Sequence, residues 1–201
     1  TPSEIEDAIA TQIFGVVGAN EFPWLWGFAD SLFLQLLMVV LIPGLLALVF
    51  GNSPQAIAPW GGHKGLYGTN PIAFAAPRTN DEPLLIDLSL SKVARGKVMV
   101  ASQRGESIPE GWALDRDGKP TTDPDAALAG TMLPMGDAKG AALVLMVEVL
   151  AAALTGANFG FEASSFFDAE GEPPSVGQLL LAFDPDVLSG GVFAARLETL
   201  V

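Results

Sequence analysis

The sequence predicts an α/β fold, and three observations support this prediction. The chain has 201 residues, which is enough for one sizeable domain or two small ones. Hydrophobic residues make up 50% of it and charged residues only 16%, a composition that favours a buried core or a membrane protein over disorder. After residue 51, strand-like segments alternate with helix-like segments, which is the order typical of α/β proteins.

Charge and cysteine content exclude several classes of partner. Lys and Arg number 10 and Asp and Glu 23, so the formal net charge is −13. Such a surface repels phosphate backbones, and we expect no nucleic-acid partner. An anionic ligand would need a local positive site built against this field. The absence of cysteine and the single histidine, His63, argue against disulfides and metal sites, and they fit a cytoplasmic setting.

Residues 1–43 form an atypical apolar segment, which we separate from the domain expected over residues 44–201. Residues 31–62 contain no charged side chain, and an uncharged apolar run of this kind is long enough to cross a membrane. Against this, Pro43 should end a helix, and no basic cluster flanks the run. Two interpretations therefore stay open: a buried helix followed by a strand, or membrane association through residues 32–50.

Four apolar segments predict strands. Each is short and bounded by Gly, Pro or polar turn residues. The first is apolar on both sides, as in a central buried strand. The segments read LLALVF from Leu45, IAFAAP from Ile72, PLLIDLSL from Pro83 and VGQLLLAFDP from Val176.

Three segments predict helices. The first begins with Ser91 as its cap and ends at Gly105. The second covers residues 138–156 and is apolar almost all round, with Glu148 as its lone acidic residue, so it should be buried. The third follows the glycine pair at residues 190–191.

A long polar loop is expected between the first two helices, over residues 106–130. Charged residues, Gly and Pro are frequent there. Asp117 and Gly118 form a dipeptide typical of a surface turn with Asx geometry.

Polar residues follow or precede two of the predicted strands. Asn52 and Ser53 come directly after the first strand, and Thr69 and Asn70 stand just before the second. Ligands bind at strand ends in α/β sheets, so these groups are candidate ligand contacts. For Asn52 and Ser53 a purely structural role is an equal alternative, because Asn-Ser-Pro is an ordinary turn sequence, and the signal from Thr69 and Asn70 is weak by itself.

The third predicted strand ends in a polar junction before a helix. Asp87 could accept hydrogen bonds from ribose hydroxyls, and the amides that follow Ser89 could bind an anion, or Asp87 could simply cap the helix. Lys139 stands near glycines at the start of the apolar helix, where it could hold a phosphate or carboxylate or be an ordinary surface lysine. The sequence contains neither a Walker loop nor a G-x-G-x-x-G fingerprint, and a Ser–His–Asp set is not indicated.

Several motifs in order resemble the malate/L-lactate dehydrogenase family of the second type, which includes ureidoglycolate dehydrogenase. The wording of two of them is most similar to the Δ1-piperideine-2-carboxylate/Δ1-pyrroline-2-carboxylate reductase branch. The resemblance covers residues 44–201. The motifs are GNSPQAIAPWGG, YGTNPIAFAAP, LLIDLSLSKVARGKV, IPEGWALDRDGKPTTDP and LPMGDAKGAALVLMVEVLAAALTG.

This resemblance implies a fold and an activity. The fold is α/β with a mixed sheet and flanking helices, distinct from the Rossmann type and present here in part, in a homodimer that completes the active site. The activity is hydride transfer between NADPH or NADH and a cyclic imino acid or a 2-oxo acid.

The resemblance also implies site residues. Thr69 matches the substrate contact, and no residue matches the family's catalytic histidine. The central expectation is that Asp87 and Lys139 converge on one pyridine dinucleotide. The matches to cofactor contacts are Ser53, Asp87, Leu88, Ser89, Arg95, Gly96, Ala138 and Lys139.

The chain also departs from the family pattern. Two histidine-containing motifs of the family are absent, and His63 lies inside a Trp-Gly-Gly turn, so it is not a substitute for either histidine. We therefore expect residues 1–43 to be truncated or replaced and the activity to be impaired. Three readings follow: an NADP- or NAD-dependent reductase, a non-catalytic remnant that binds cofactor and dimerises, or a membrane-associated protein.

Overall fold

A computed structural model describes residues 44–79, 81–166 and 172–201. It contains a four-stranded sheet, a three-stranded sheet and helices that pack against them, which confirms the α/β prediction. The pairings between the described strands are antiparallel, and an isolated bridge between Ile57 and Met132 is parallel. The predictions for residues 1–43 lie outside the described residues.

The elements have the following bounds. The strands are β1 Leu46–Gly51, β2 Ile72–Ala76, β3 Leu84–Leu88, β4 Ala113–Leu114, β5 Pro120–Thr121, β6 Thr131–Met132 and β7 Gln178–Phe183. The helices are α1 Arg95–Arg104, α2 Pro124–Ala129, α3 Asp137–Glu148, α4 Pro185–Ser189 and α5 Phe193–Leu200, and a π-helical turn, Val149–Ala153, continues α3.

The four-stranded sheet has the order β3-β2-β1-β7. Phe50 near the end of β1 pairs with Ile72 at the start of β2, and Ile72 pairs on its other side with Leu88 at the end of β3. Gly51 pairs with Gln178 at the start of β7. Antiparallel pairing therefore gathers residues 51–53, 69–72, 88–91 and 177–178 at one side of the sheet, which we call the polar edge.

The main core lies between one face of this sheet, α1, α3 and the small sheet. Strand side chains alternate between faces, so β1 presents Leu48 and Phe50 to this core and Ala47 and Val49 to the opposite face. The larger buried side chains of the main core are Phe50, Ile57, Leu90, Val98, Ile108, Met132, Val144 and Val147.

The first predicted helix begins later than expected. Ser91 is not its cap, because Ser91 forms a β-bridge with Pro134 and its hydroxyl donates to the Val93 carbonyl at 2.7 Å. The helix α1 starts at Arg95 instead. Its predicted end is confirmed: Gly105 adopts a left-handed conformation with φ of 65°, and its amide donates to carbonyls of the last turn.

The prediction of a continuous polar loop over residues 106–130 was wrong. The segment contains β4, β5 and α2, and Asp123 caps α2 by accepting a hydrogen bond from the amide of Asp125. The predicted turn is present, because Asp115 accepts hydrogen bonds from the amides of Asp117 and Lys119. The strands β4 and β5 were not predicted, because two residues are too few to show the alternation of apolar and polar side chains that identifies a strand.

The apolar helix α3 is buried on one face only, so the expectation of burial all round was wrong. Val144 and Val147 are fully buried, whereas Leu145 and Met146 on the other face are 47% and 43% exposed. The predicted stop is confirmed by Gly156, which has a φ of 74°. Within the described ranges, no helix combines the length and hydropathy needed to span a membrane.

An ion pair joins the loop after β2 to the last helix. Arg78 donates to Glu198 at 3.2 and 2.8 Å, and this hydrogen bonding lowers the pKa of Glu198 from its ordinary value. A carboxylate with a lowered pKa contributes stability above its unfolded pKa, and the contribution is lost as pH falls through its folded pKa. We expect Arg78→Ala to raise the pKa of Glu198 in an NMR titration, whereas Arg196→Ala should leave it lowered; equal values in both variants would contradict the pairing.

Candidate functional site

Two hydroxyl groups meet at the polar edge. The hydroxyl oxygens of Ser53 and Thr69 lie 3.3 Å apart, and the Thr69 amide donates to the Ser53 hydroxyl at 3.0 Å. The Ser53 amide donates to the side-chain oxygen of Asn70 at 3.3 Å. This proximity follows from the antiparallel pairing, which brings the end of β1 to the start of β2. The predicted cofactor residue Ser53 and the predicted substrate residue Thr69 are therefore neighbours.

A buried carboxylate is linked through hydrogen bonds of Asn70 to the Ser53–Thr69 hydroxyl pair. Glu148, the last residue of α3, is 2% exposed and accepts hydrogen bonds from Asn52 at 3.4 Å, Asn70 at 2.6 Å and the Gly160 amide at 2.6 Å. Asn52 also accepts a hydrogen bond from the Gly177 amide at 2.7 Å. These bonds thus join five positions of the chain beside the polar edge: Asn52, Asn70, Glu148, Gly160 and Gly177.

A chain of hydrogen bonds leads from this pair to the start of α3. The Leu90 amide donates to the Thr69 carbonyl at 2.8 Å, and the Met135 amide donates to the Leu90 carbonyl at 2.8 Å. The ammonium of Lys92 lies 3.1 Å from a carboxylate oxygen of Asp137, the first residue of α3. The segment after β3 and the first turn of α3 therefore lie side by side next to the hydroxyl pair.

The predicted residues at the end of β3 point in different directions. Asp87 is exposed, whereas the next residue, Leu88, packs against the main core. The Ser89 hydroxyl lies 2.7 Å from the Ser91 hydroxyl. The alternative that Asp87 caps the helix was wrong, because Ala94 precedes α1 and Asp87 belongs to β3.

Lys139 and Ala138 are exposed in the first turn of α3. Lys139 forms no ion pair with the described residues. The Met135 amide donates a hydrogen bond to the Leu90 carbonyl. Asp87 precedes Leu90 by three residues, and Lys139 follows Met135 by four. The segments that carry Asp87 and Lys139 therefore meet, and their joint hold on one dinucleotide stays a prediction.

Arg95 and Gly96 make contacts away from the hydroxyl pair. The Arg95 guanidinium donates to the Leu128 carbonyl at the end of α2 at 3.2 Å, and burial lowers the pKa of Arg95 from its ordinary value. Gly96 lines a cleft of about 360 Å³ together with Ile108 and Trp112. The structure thus places these two predicted residues at the beginning of α1, on the side that faces α2.

Sequence reasoning missed the part that Glu148 plays. Its only signal was a carboxylate in the apolar part of the helix, and such a charge needs buried donors if it faces the core. His63 is exposed in its turn and packs beside Gly118. Within residues 44–79, 81–166 and 172–201, no three metal-ligating side chains gather at one point.

The structure is an α/β fold in which polar side chains gather at one side of an antiparallel sheet. The chain belongs to the malate/L-lactate dehydrogenase family, whose model matches residues 36–201. This confirms the resemblance in the sequence.

Two curated relatives illustrate the relationship. The chain is 70% identical over 157 residues to a (2R)-3-sulfolactate dehydrogenase (NADP(+)) from Chromohalobacter salexigens, which covers 78% of this chain and 47% of the relative. It is 43% identical over 190 residues to a Δ1-pyrroline-2-carboxylate/Δ1-piperideine-2-carboxylate reductase from Pseudomonas syringae pv. tomato, which covers 94% of this chain and 53% of the relative. The chain spans about half the length of the curated relatives it matches.

Two solved structures share the fold. One is a Δ1-piperideine-2-carboxylate reductase from Pseudomonas syringae pv. tomato, with 47% identity and a TM-score of 0.72 over 78% of this chain and 48% of that one. The other is a sulfolactate dehydrogenase from Methanocaldococcus jannaschii, with 37% identity and a TM-score of 0.68 over 78% of this chain and 45% of that one. The chain therefore shares its fold with members of this family.

Proposed function

We propose that this protein is an NADPH- or NADH-dependent oxidoreductase that reduces a cyclic imino acid or a 2-oxo acid. The observation that carries the proposal is the polar edge, where Ser53 and Thr69 share a hydrogen bond and the segment after β3 meets the start of α3. Family membership supports it, because the relatives are named as dehydrogenases and reductases of such acids.

The residues of this edge fit a dinucleotide. Lys139 offers an exposed ammonium without a carboxylate partner among the described residues, which suits a phosphate. Asp87 offers an exposed acceptor that suits ribose hydroxyls, and Ser53 and Ser89 offer hydroxyl groups close by. When bound, the dinucleotide supplies the hydride.

Thr69 is the proposed substrate contact in this scheme. Its hydroxyl is half-buried and held by Ser53, so it is oriented before any ligand arrives. Orientation of a reacting carbon beside the hydride donor is one of the larger sources of rate enhancement. The remaining proposed cofactor contacts are Leu88, Arg95, Gly96 and Ala138.

The proposed reduction needs a proton donor, and the family's catalytic histidine has no match in this sequence. The sequence has one histidine, His63, and it is exposed in a turn rather than held at the polar edge. Loss of a general acid typically costs about 10²–10⁴-fold in rate. We therefore propose a slow reductase, and the second candidate is a cofactor-binding remnant without turnover.

The assembly proposed here is a homodimer of a domain formed by residues 44–201. Support comes from the apolar side chains that this domain exposes on α3 and β7, among them Leu145, Met146 and Leu180. Large apolar side chains that join into one exposed patch are typical of surfaces that another protein surface covers.

The choice of substrate follows from the relatives. A sulfolactate dehydrogenase oxidises a 2-hydroxy acid, so the identity of 70% to such an enzyme favours the reverse reaction, in which the corresponding 2-oxo acid is reduced. The reductases at 43–47% identity favour a cyclic imine as the substrate. Both have a carboxylate beside the carbon that receives the hydride. One site of this family type could therefore accept either.

The test is a titration followed by a turnover assay on the 201-residue chain. NADPH and NADH are titrated against the fluorescence of the four tryptophans, and turnover is measured with Δ1-piperideine-2-carboxylate, Δ1-pyrroline-2-carboxylate, 3-sulfopyruvate and pyruvate. Saturable binding with turnover supports the reductase. Binding without turnover supports the remnant, and the absence of binding to both dinucleotides would reject the two proposals together.

Removal of the Thr69 hydroxyl should weaken the reaction and leave the fold intact. We expect Thr69→Val to lower kcat/KM by about 10-fold or more, because a hydrogen bond to the substrate is lost. Thr69→Ser keeps the hydroxyl and should retain most of the activity. Steady-state kinetics with the best substrate of the panel, together with circular dichroism, measure this, and equal loss in both variants would argue against a hydroxyl contact.

A further inference from the structure

Asn70 follows Thr69 directly and is fully buried, with an exposed fraction of 0%. Its backbone has a φ of 39°, which lies in the left-handed region. Asn enters this region more readily than most residues other than glycine, but still at a cost in free energy. A buried polar side chain in such a conformation is kept in place by its contacts, and those of Asn70 lead to the hydroxyl pair.

The side chain of Asn70 fits its surroundings in one orientation only. Its oxygen accepts a hydrogen bond from the Ser53 amide at 3.3 Å, and its NH₂ group donates to the Val144 carbonyl at 3.0 Å and to Glu148 at 2.6 Å. A rotated amide would turn its oxygen toward these two acceptors and its NH₂ group toward the Ser53 N–H. Aspartate has a similar shape but no NH₂ group, so position 70 requires an amide.

A buried negative charge fixes this orientation. The other donors to the Glu148 carboxylate in the described part of the chain are neutral, namely the side-chain amide of Asn52 and the backbone N–H of Gly160. Hydrogen bonds to a charged acceptor are shorter and stronger than those between neutral groups. The helix α3 therefore holds Asn70 from its buried side.

Asn70 in turn orders the hydroxyl pair. The oxygen of Asn70 accepts from the amide of Ser53, and the hydroxyl of Ser53 accepts the Thr69 amide at 3.0 Å and lies 3.3 Å from the Thr69 hydroxyl. Asn70 is also joined to Thr69 by the peptide bond. The position of the Thr69 hydroxyl thus depends on Asn70 twice, through the backbone turn and through Ser53.

We propose that Asn70 is a positioning residue: it touches no ligand, and it holds the Thr69 hydroxyl where the substrate is received. The role in turnover rests on the proposed function, whereas the hold on Ser53 and Thr69 rests on the hydrogen bonds alone. A group that is held in place before the substrate binds saves the entropy of ordering it, which gives such a residue a large effect on rate.

Two variants of Asn70 remove this hold in different ways. Asn70→Gly keeps the left-handed turn, because glycine adopts a positive φ without strain, but it removes the amide. Asn70→Asp places a second carboxyl group against Glu148. Two carboxyl groups at hydrogen-bond distance share one proton at acid pH and repel each other once both are charged. Asn158→Asp is the matched control, because the Asn158 side chain donates to the Pro174 carbonyl at 3.1 Å and has no carboxylate partner in the described ranges.

The first measurement is a double-mutant cycle on kcat/KM with Thr69→Val. We expect Asn70→Gly to lower kcat/KM by about 10-fold or more, and Thr69→Val to add less than about 2-fold to that loss. In Asn158→Asp, Thr69→Val should keep its full effect. Asn70→Asp should approach the wild-type rate at about pH 5 and fall about 10-fold below it by about pH 8, whereas Asn158→Asp should show no such step.

The second measurement does not need turnover. The amides of Ser53 and Thr69 donate within this network, so hydrogen exchange followed by NMR reports their protection. At about pH 8 we expect both amides to exchange about 10-fold faster or more in Asn70→Gly and Asn70→Asp than in Asn158→Asp.

Each other outcome has a defined meaning. If Thr69→Val keeps its full effect in Asn70→Gly, or if Asn70→Asp and Asn158→Asp share one pH profile, the positioning role is rejected. If the wild-type chain turns over none of the substrates, the proposed function fails, and exchange at Ser53 and Thr69 decides the role of Asn70: equal rates in Asn70→Gly and Asn158→Asp would reject it. Circular dichroism at each pH confirms the fold, and if Asn70→Asp unfolds at about pH 8, Asn70→Gly carries both measurements.

Discussion

Replacing Glu148 with leucine is expected to lower the free energy of unfolding by about 3–5 kcal/mol. The side chain is 2% exposed and is a hydrogen-bond acceptor for three groups: the amides of Asn52 and Asn70 and the backbone N–H of Gly160. Leucine can fill the space but cannot accept a hydrogen bond. Each donor that stays buried without its partner costs about 1–3 kcal/mol.

Urea denaturation followed by tryptophan fluorescence measures this change. Glu148→Gln is the conservative variant: its amide oxygen can accept from one side while its NH₂ group faces another donor, so we expect a loss of about 2 kcal/mol. Glu110→Leu, at an exposed position, is the matched control and should stay within about 0.5 kcal/mol of the wild-type chain. Equal midpoints for the leucine variants at positions 148 and 110 would show that the carboxylate does not hold the segments together.

The same substitution links stability to the proposed site. The side-chain oxygen of Asn70 accepts a hydrogen bond from the Ser53 amide, and the NH₂ group of Asn70 donates one to the Glu148 carboxylate. Loss of the carboxylate leaves the Asn70 NH₂ group with the Val144 carbonyl, at 3.0 Å, as its remaining acceptor and weakens the support of the Ser53–Thr69 pair. Weaker dinucleotide binding at temperatures where the variant is still folded is the expected sign of this coupling.

Local patterns in the sequence were sufficient for the longer elements. The strands β1, β2, β3 and β7 and the helix α3 are apolar segments with turn residues at their ends, and these signals depend only on neighbours in the chain. Gly105 and Gly156 were identified as helix ends because a left-handed residue after a helix is most often glycine. The family motifs added the predicted site residues, which stay a prediction.

Several contacts depend on residues that are distant in the sequence, and local patterns could not predict them. Ser91 has the composition of a helix cap but is used in a bridge to Pro134, 43 residues further on. Glu148 contacts Asn52, which lies 96 residues away. The cleft lined by Lys64, Arg95 and Arg116 likewise forms only when separate loops fold together. Register and side-chain direction fix these contacts, and a single sequence does not determine either.

Replacing Gly68 with alanine is expected to destabilise the fold by about 3 kcal/mol and to abolish dinucleotide binding. A methyl group at this position would lie 2.6 Å from the side-chain oxygen of Asn70 and closer still to the carbonyl and hydroxyl oxygens of Ser53. Two of the three atoms belong to side chains of the polar edge and one to its backbone, so the clash cannot be relieved by moving the end of a flexible side chain. The Ser53 and Thr69 hydroxyls must separate, which removes the geometry on which the proposed site depends.

Gly65→Ala is the matched control in the same loop. A methyl group at Gly65 would meet its nearest atoms, in the backbone of Ala56, at 3.7 Å, which is ordinary van der Waals contact. We therefore expect its unfolding midpoint to match that of the wild-type chain in urea and its affinity for NADH to be unchanged. If Gly68→Ala were folded and bound NADH as tightly as Gly65→Ala, the close approach of Gly68 to Ser53 would not be required for binding, and the polar edge would lose its place as the dinucleotide site.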